Sequence, residues 1–178
     1  MNIKSPRTHV LAVAAVTGAA YAVLTMILAP ISYGAIQCRI SEALCILPYF
    51  IPGTAWGLFL GCAVANILTG NIFDIIFGSL ATLCAGLITA WLGKREHTML
   101  NSFAACLMPV IFNAVIVGAV ITGAYIGVNP FAHAGVFVLN AAYVGLGEAI
   151  VMLVIGLPLM RYLPGRHFFR EFVDKTNS

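Results

Sequence analysis

The chain consists of long apolar runs separated by short segments rich in proline, glycine and charge. A helix needs about 20 mostly apolar residues to cross the hydrocarbon core of a membrane. These separating segments divide the sequence into six apolar runs, at residues 10–29, 39–50, 54–69, 73–91, 99–126 and 133–163. The second run is short, and the sixth is long enough to tilt or bend at Gly145 and Gly147. The pattern predicts six membrane-spanning helices.

Strands explain these runs less well than helices do. Ala, Gly and Leu dominate the runs, whereas strands of a membrane barrel alternate in polarity over about ten residues. We therefore predict an all-α polytopic membrane protein. Its single domain is a six-transmembrane-helix bundle at residues 9–163, followed by a cytoplasmic tail at residues 164–178.

The composition excludes several other classes of protein. Hydrophobic residues make up 61% of the 178 positions and charged residues only 8%, against about 25% in soluble domains. A soluble globular protein, a disordered tail and a nucleic-acid binder are therefore excluded.

The basic residues indicate an orientation in the cell membrane. Six spans place eight of the nine basic residues on the side that also holds both termini, namely Lys4, Arg7, Lys94, Arg95, Arg161, Arg166, Arg170 and Lys175. Cytoplasmic loops carry the excess of Lys and Arg. We therefore expect a multi-pass protein with both termini in the cytoplasm, and Arg39 is the exception.

Four ionisable residues fall at membrane depth or at its outer edge: Arg39, Glu42, Asp74 and Glu148. Such residues cost about 2.5–3.5 kcal/mol on insertion and are functional candidates by default. Structural roles also fit three of them, because Arg39 and Glu42 could pair at i, i+3 and Asp74 could cap a helix. Glu148 has no charged residue within twelve positions and no such partner.

Amides accompany Glu148. Asn140 lies two turns before Glu148 on the same helical face, and Asn66 and Asn113 lie on the third and fifth spans. Asparagines can simply join helices in membrane bundles. Together with aromatic rings, however, a carboxylate and two amides facing an outward cavity would suit a polar, planar solute, whether neutral or cationic.

Small residues form a stripe along the first span. Ala15 and Ala19, like Ala14 and Gly18, are separated by four positions, which lets another helix approach closely. The pattern leaves open whether that helix belongs to this bundle or to a partner.

Signatures of catalysis are absent from the sequence. It has no phosphate-binding Gly-x-x-x-x-Gly-Lys-Ser/Thr loop, no His-Glu-x-x-His and no Gly-x-Ser-x-Gly. The histidines and cysteines are scattered. We expect no enzyme activity and neither a metal nor another cofactor.

The segment at residues 30–44, followed by Leu47 and Pro48, resembles the queuosine-precursor transporter (QueT-type) family. Residues 57–66, 74–83, 145–150 and 156–159 support the resemblance in the same order. The members are substrate-binding S components of energy-coupling factor (ECF) vitamin transporters. The resemblance covers residues 12–159.

The resemblance implies a six-helix S component that captures a 7-deazaguanine, such as 7-aminomethyl-7-deazaguanine or queuine, from outside the cell. An ECF module, with a transmembrane T component and two cytoplasmic ATPase subunits, would supply the energy for uptake. Ala15 and Ala19 would dock the T component, and residues 33–39 would form a lid over the substrate. Lipid is the other partner, and no nucleic acid is expected.

The chemistry of the base suggests roles for individual residues. One carboxylate can accept the ring N–H and the amino group of a deazaguanine together. We expect Glu148 to bind this edge, with Asn113 and Asn140 on the remaining donors and acceptors.

The substituent and the ring face need other partners. Asp74 or Glu42 would meet the substituent, and Tyr33 or Trp56 would stack on the ring. Arg39 would hold the lid through Glu42. A different hypothesis is a stand-alone secondary transporter or channel for a small polar or cationic solute, driven by an ion gradient through Glu148.

Overall fold

The computed structural model describes residues 6–33 and 37–177. Over these residues the chain is helical and has no strands, which confirms the all-α prediction. Its elements in order are α1 (Pro6–Ile27), α2 (Ala29–Ser32), a 3-10 helix (Ile40–Tyr49), α3 (Thr54–Asn66), a 3-10 turn (Ile67–Thr69), a π turn (Asp74–Gly78), α4 (Ser79–Leu92), α5 (Met99–Val120), a π turn (Ile121–Tyr125), α6 (Ala134–Val151), a π turn (Met152–Gly156), α7 (Leu157–Tyr162), a 3-10 turn (Leu163–Gly165) and α8 (His167–Asn177).

Within the described residues, four continuous helical segments are long and apolar enough to cross a membrane. They are Thr8–Ile27, Asp74–Leu92, Met99–Tyr125 and Ala134–Gly165. The second and third predicted spans correspond to shorter apolar helices, Ile40–Tyr49 and Thr54–Thr69. Many large apolar side chains on the long helices face outward, as expected of a surface in contact with lipid.

The 3-10 helix runs through the interior of the bundle. It is ten residues long, and the rise of about 2.0 Å per residue in this geometry makes it about 20 Å long. Its side chains are mostly buried, including Ser41 and Glu42, and it contacts α1, α3, α4, α5 and α6. Neighbouring helices therefore shield the polar residues of the second run from lipid.

Glycines allow α1 and α3 to pack with their backbones in contact. A Cβ atom on Gly57 would lie 1.9 Å from the carbonyl oxygen of Ala14, and one on Gly61 would lie 2.3 Å from that of Gly18. The small residues Ala14 and Gly18 therefore serve packing within the bundle, whereas Ala15 and Ala19 are exposed.

The sixth run does not bend where the sequence suggested. Helix α6 is regular through Gly145 and Gly147, and the departure from α geometry is the π turn Met152–Gly156. Gly147 lies within the regular helix, and its missing side chain leaves room for a contact with another segment that is described below.

The expected tail is largely helical and packs on the bundle. In α8, the Phe172 ring makes an edge contact with His9 of α1 at 5.8 Å, and Phe169 makes one with Phe50 at 5.2 Å. Thr176 and the Nδ1 atom of His9 are hydrogen-bonded at 3.1 Å. Residues 164–178 were predicted only as a tail, whereas the apolar side of their helix is partly buried against the bundle. We call this end of the molecule the α8 end.

We expect Gly57→Ala to destabilise the protein, because the new methyl group would force α1 and α3 apart. Overpacking of this kind costs about 1–3 kcal/mol. Thermal unfolding of the purified protein in detergent measures the change. Gly135→Ala is the control, because a Cβ atom there meets nothing within 4 Å. Equal unfolding temperatures for the two variants would contradict the close contact.

Candidate functional site

A cavity of about 560 Å³ opens at the end of the bundle opposite α8. Its wall combines tyrosines, one carboxylate and two amides. The lining residues are Tyr33, Gln37, Leu68, Thr69, Asp74, Ile121, Tyr125, Asn140 and Tyr143. A polar, aromatic wall of this kind suits a flat solute with hydrogen-bonding groups.

Irregular backbone brings the cavity residues together. Asp74 lies at the start of one π turn, and Ile121 and Tyr125 lie at the two ends of another. Such turns inside helices occur frequently at functional sites. Tyr125, Thr69 and Asp74 all line the cavity. The two π turns thus place groups from different helices on one wall.

Tyr33 is fixed at the edge of this cavity. Its hydroxyl donates a hydrogen bond to the carbonyl oxygen of Ala65 at 2.7 Å. Burial raises the pKa of Tyr33 above its ordinary value, so the hydroxyl keeps its proton at neutral pH and remains a donor. The ring is therefore held as a rigid part of the wall.

Three charged residues are buried beside the cavity and are not among its lining residues. Arg39, Glu42 and Glu148 are 3%, 0% and 2% exposed. Both Arg39 and Glu42 interact electrostatically with Glu148. We call these three residues the charged cluster.

Glu42 has a hydrogen-bond donor for each of its oxygens. The Tyr21 hydroxyl donates to Oε1, and the Cys45 thiol donates to Oε2 at 3.0 Å. Among the described residues, Arg39 and Glu42 form no ion pair, although the two side chains interact electrostatically.

Glu148 and Arg39 are only partly paired. The Asn113 amide donates to Glu148 Oε1 at 2.9 Å, whereas Glu148 Oε2 has no hydrogen-bond partner among the described residues. Arg39 Nε and Nη2 also lack partners within the described part of the chain. The Arg39 guanidinium lies over the Tyr33 ring, 5.3 Å from its centroid. Buried polar atoms without partners are rare in proteins and call for an explanation.

Gly147 holds the segment before Arg39 against α6. A Cβ atom at this position would lie 2.4 Å from the carbonyl oxygen of Gln37 and 3.3 Å from the backbone nitrogen of Cys38. Only glycine leaves room for this approach. The contact joins the segment that leads to Arg39 with the helix that carries Glu148, the residue that follows Gly147.

The structure sorts most of the predicted site residues into two groups. Asp74, Asn140 and Tyr33 line the cavity, and the Asn140 amide donates to Thr122 at 3.0 Å. Glu42, Glu148, Arg39 and Asn113 form or contact the charged cluster. Trp56 joins neither group.

Trp56 lies on the outer surface of the bundle. It is 56% exposed and lines an apolar groove of about 390 Å³ between α1 and α3, together with Ala15 and Ala19. The structure therefore places the predicted stacking residue beside the predicted docking residues, away from the cavity.

Several residues of the candidate site were not predicted from the sequence. Tyr21 donates to Glu42, and Gln37 and Tyr125 line the cavity. One signal was available for Tyr21, because Tyr21 and Thr25 place two polar groups on one face of the apolar first run. Tyr125 and Gln37 gave no comparable signal. The predicted lid includes residues 34–36, which lie outside the described residues.

No metal site is evident in the described ranges. Within residues 6–33 and 37–177, no three His, Cys, Asp or Glu side chains are grouped so that they could hold a metal ion.

A helical membrane bundle with a polar cavity at one end and buried charges beside it is typical of membrane proteins that handle a small polar solute. Residues 11–164 match the QueT transporter family, and the chain therefore belongs to that family. The resemblance predicted from the sequence is confirmed.

A curated relative is the Queuosine precursor transporter QueT of Lactococcus lactis subsp. cremoris (strain MG1363). It is 36% identical over 83 residues, which cover 46% of this chain and 49% of the relative. The match thus spans about half the length of that protein. No solved structure matches the chain significantly.

We expect Gly147→Ala to displace the segment at residues 37–39, because the added methyl group would collide with the Gln37 backbone. Cys38, which is partly buried, should then react faster with a maleimide, as measured by peptide mass spectrometry. Cys84 in the same protein is the internal reference, and Gly135→Ala on the same helix is the control variant. Unchanged labelling of Cys38 would show that Gly147 does not position this segment.

Proposed function

We propose that this protein is the substrate-binding S component of an ECF transporter. It captures a queuosine precursor, a 7-deazaguanine such as 7-aminomethyl-7-deazaguanine or queuine, from outside the cell. A partner ECF module then drives uptake with ATP. Family membership and the name of the curated relative support the transported compound. The observation that carries the proposal is the polar cavity beside a buried carboxylate with one unpaired oxygen.

The proposed topology has six membrane-crossing segments and both termini in the cytoplasm. The 3-10 helix and α3 cross within the shelter of the four longer helices. Two observations support this arrangement. His9 and Thr176 meet at the α8 end, and the described basic residues other than Arg39 lie in or next to elements at that end. The cavity would then open to the outside of the cell membrane.

The contacts narrow the roles of the residues. Asp74 lines the cavity, whereas Glu42 is fully buried and does not, so Asp74 is proposed to meet the substituent. The Tyr33, Tyr125 and Tyr143 rings offer faces for stacking or for a cationic amine. Asn140 adds an amide from the wall.

Glu148 is proposed to bind the base edge through its unpaired Oε2. Asn113 acts as a positioning residue, because its amide donor already holds Oε1 of Glu148. Since Glu148 is almost fully buried and does not line the cavity, binding of the base requires a local opening between the cavity and Glu148. A carboxylate that accepts two adjacent N–H groups forms strong, directional hydrogen bonds.

The proposed partners are a T component and two ATPase subunits. The apolar groove that contains Ala15 and Ala19 is exposed on the outer surface of α1 and α3. Small residues on such a face let a partner helix approach closely. The sequence contains no phosphate-binding loop of its own, which fits an energy source in partner subunits.

We expect Glu148→Gln to weaken binding of 7-aminomethyl-7-deazaguanine by at least about tenfold, because a charge-assisted hydrogen bond to the base is lost. Calorimetry or tryptophan quenching with detergent-purified protein measures the affinity. Glu171→Gln is the matched control, since Glu171 lies on the exposed face of α8 and pairs with Lys175. Unchanged affinity of Glu148→Gln for the base would remove Glu148 from the site.

We expect Ala15→Leu and Ala19→Leu to abolish uptake while leaving substrate affinity unchanged, because bulk in the groove blocks a partner helix. The readouts are co-purification with the ECF module and uptake into ATP-loaded vesicles. Ala142→Leu, an equally exposed alanine on α6, should behave like the unsubstituted protein. Uptake by this chain alone, in vesicles without ATP or partners, would instead support a secondary transporter.

A further inference from the structure

The contacts of Arg39 do not account for the burial of its charge. Its Nε and Nη2 atoms have no hydrogen-bond partner among the described residues, although the side chain is almost fully buried. A buried charge without hydrogen bonds is costly. Stacking on Tyr33 satisfies the face of the guanidinium and leaves these N–H groups unpaired.

The acidic groups near Arg39 do not pair with it. Asp74 and Glu42 interact with Arg39 electrostatically, yet no ion pair with either is present in the described part of the chain. Glu42 accepts from Tyr21 and Cys45. Arg39 therefore offers donors that the surrounding side chains do not use.

Glu148 shows the complementary feature. Its Oε2 atom is an acceptor without a partner, and it interacts electrostatically with Arg39. The segment that precedes Arg39 contacts α6 at Gly147, the residue before Glu148. An unused pair of donors and an unused acceptor thus lie on two segments that contact each other, and Tyr33, which lines the cavity, lies under the Arg39 guanidinium.

We propose that Arg39 and Glu148 together recognise a lactam edge, which is a ring carbonyl directly beside a ring N–H. Arg39 donates to the carbonyl oxygen, while Glu148 Oε2 accepts from the ring N–H and from the amino group next to it. This inference rests on the proposed function and adds its specificity determinant. A 7-deazaguanine presents this order of acceptor and donors.

The same pair would reject a base with the opposite order. In 2,6-diamino-7-deazapurine, an amino group replaces the carbonyl and the ring nitrogen carries a lone pair. Its amino N–H groups would then face the guanidinium, and its lone pair would face the carboxylate. Sites built around buried polar groups discriminate strongly, because the wrong ligand leaves those groups unpaired.

The test compares 7-deazaguanine with 2,6-diamino-7-deazapurine, which share their ring system and 2-amino group. Detergent-purified protein should bind 7-deazaguanine at least about tenfold more tightly. Arg39→Met should remove most of this preference by weakening 7-deazaguanine alone, and Arg39→Lys should restore part of it. Arg95→Met is the matched control, because Arg95 is exposed and lies over Trp91.

The outcomes separate this inference from the proposed function. Failure of the unsubstituted protein to bind any 7-deazaguanine would overturn both. Binding without preference between the two bases would overturn the proposed recognition of the lactam edge and leave the proposed function in place. An equal loss of affinity for both bases in Arg39→Met would do the same, because it would show a structural role. If Arg39→Met does not fold, Arg39→Lys and the preference of the unsubstituted protein still decide the question.

Discussion

A carboxylate inside an apolar bundle must find hydrogen-bond donors, and the centre of this protein is organised around that requirement. Glu42 lies on the buried 3-10 helix and receives one donor from Tyr21 on α1 and another from Cys45 on its own helix. Nearby, Thr25 of α1 and Ser41 of the 3-10 helix share a hydrogen bond at 2.6 Å. These bonds tie the central helix to α1. They can persist because the surrounding helices exclude both water and lipid.

The charged cluster combines two kinds of buried group. Each oxygen of Glu42 accepts a hydrogen bond, one of them from α1. Glu148 and Arg39 keep atoms without partners, although they are equally hidden from solvent. Stability alone does not explain this difference, because apolar residues of similar size would avoid the cost of burial. A ligand that supplies the opposite groups would explain it, and the tyrosine-rich cavity beside the cluster gives that ligand a place to enter.

The sequence predicted the helical runs, the family and several polar residues of the candidate site. It could not predict which of those residues line the cavity and which lie in the charged cluster, because that depends on contacts between positions far apart in the sequence. Tyr21 and Glu42 are 21 positions apart, and the use of both Glu42 oxygens becomes visible only in three dimensions. Gly147 looked like a point of bending, whereas its lack of a side chain admits the backbone of Gln37.

Trp56 was assigned by residue type alone, and the rotation of α3 turns it outward. The packing of α8 depends on Phe50 and His9, far away in the chain.

The enclosed 3-10 helix also constrains how the protein is inserted during synthesis. Its ten residues are about half the length that a membrane-inserting segment usually needs, and Glu42 and the preceding Arg39 oppose transfer into lipid. The segment emerges from the ribosome between α1 and α3, the two helices whose glycines lock them together. It therefore depends on helices that are synthesised before and after it to hold it inside the bundle. Biogenesis of this protein depends on its later helices as much as on its first one.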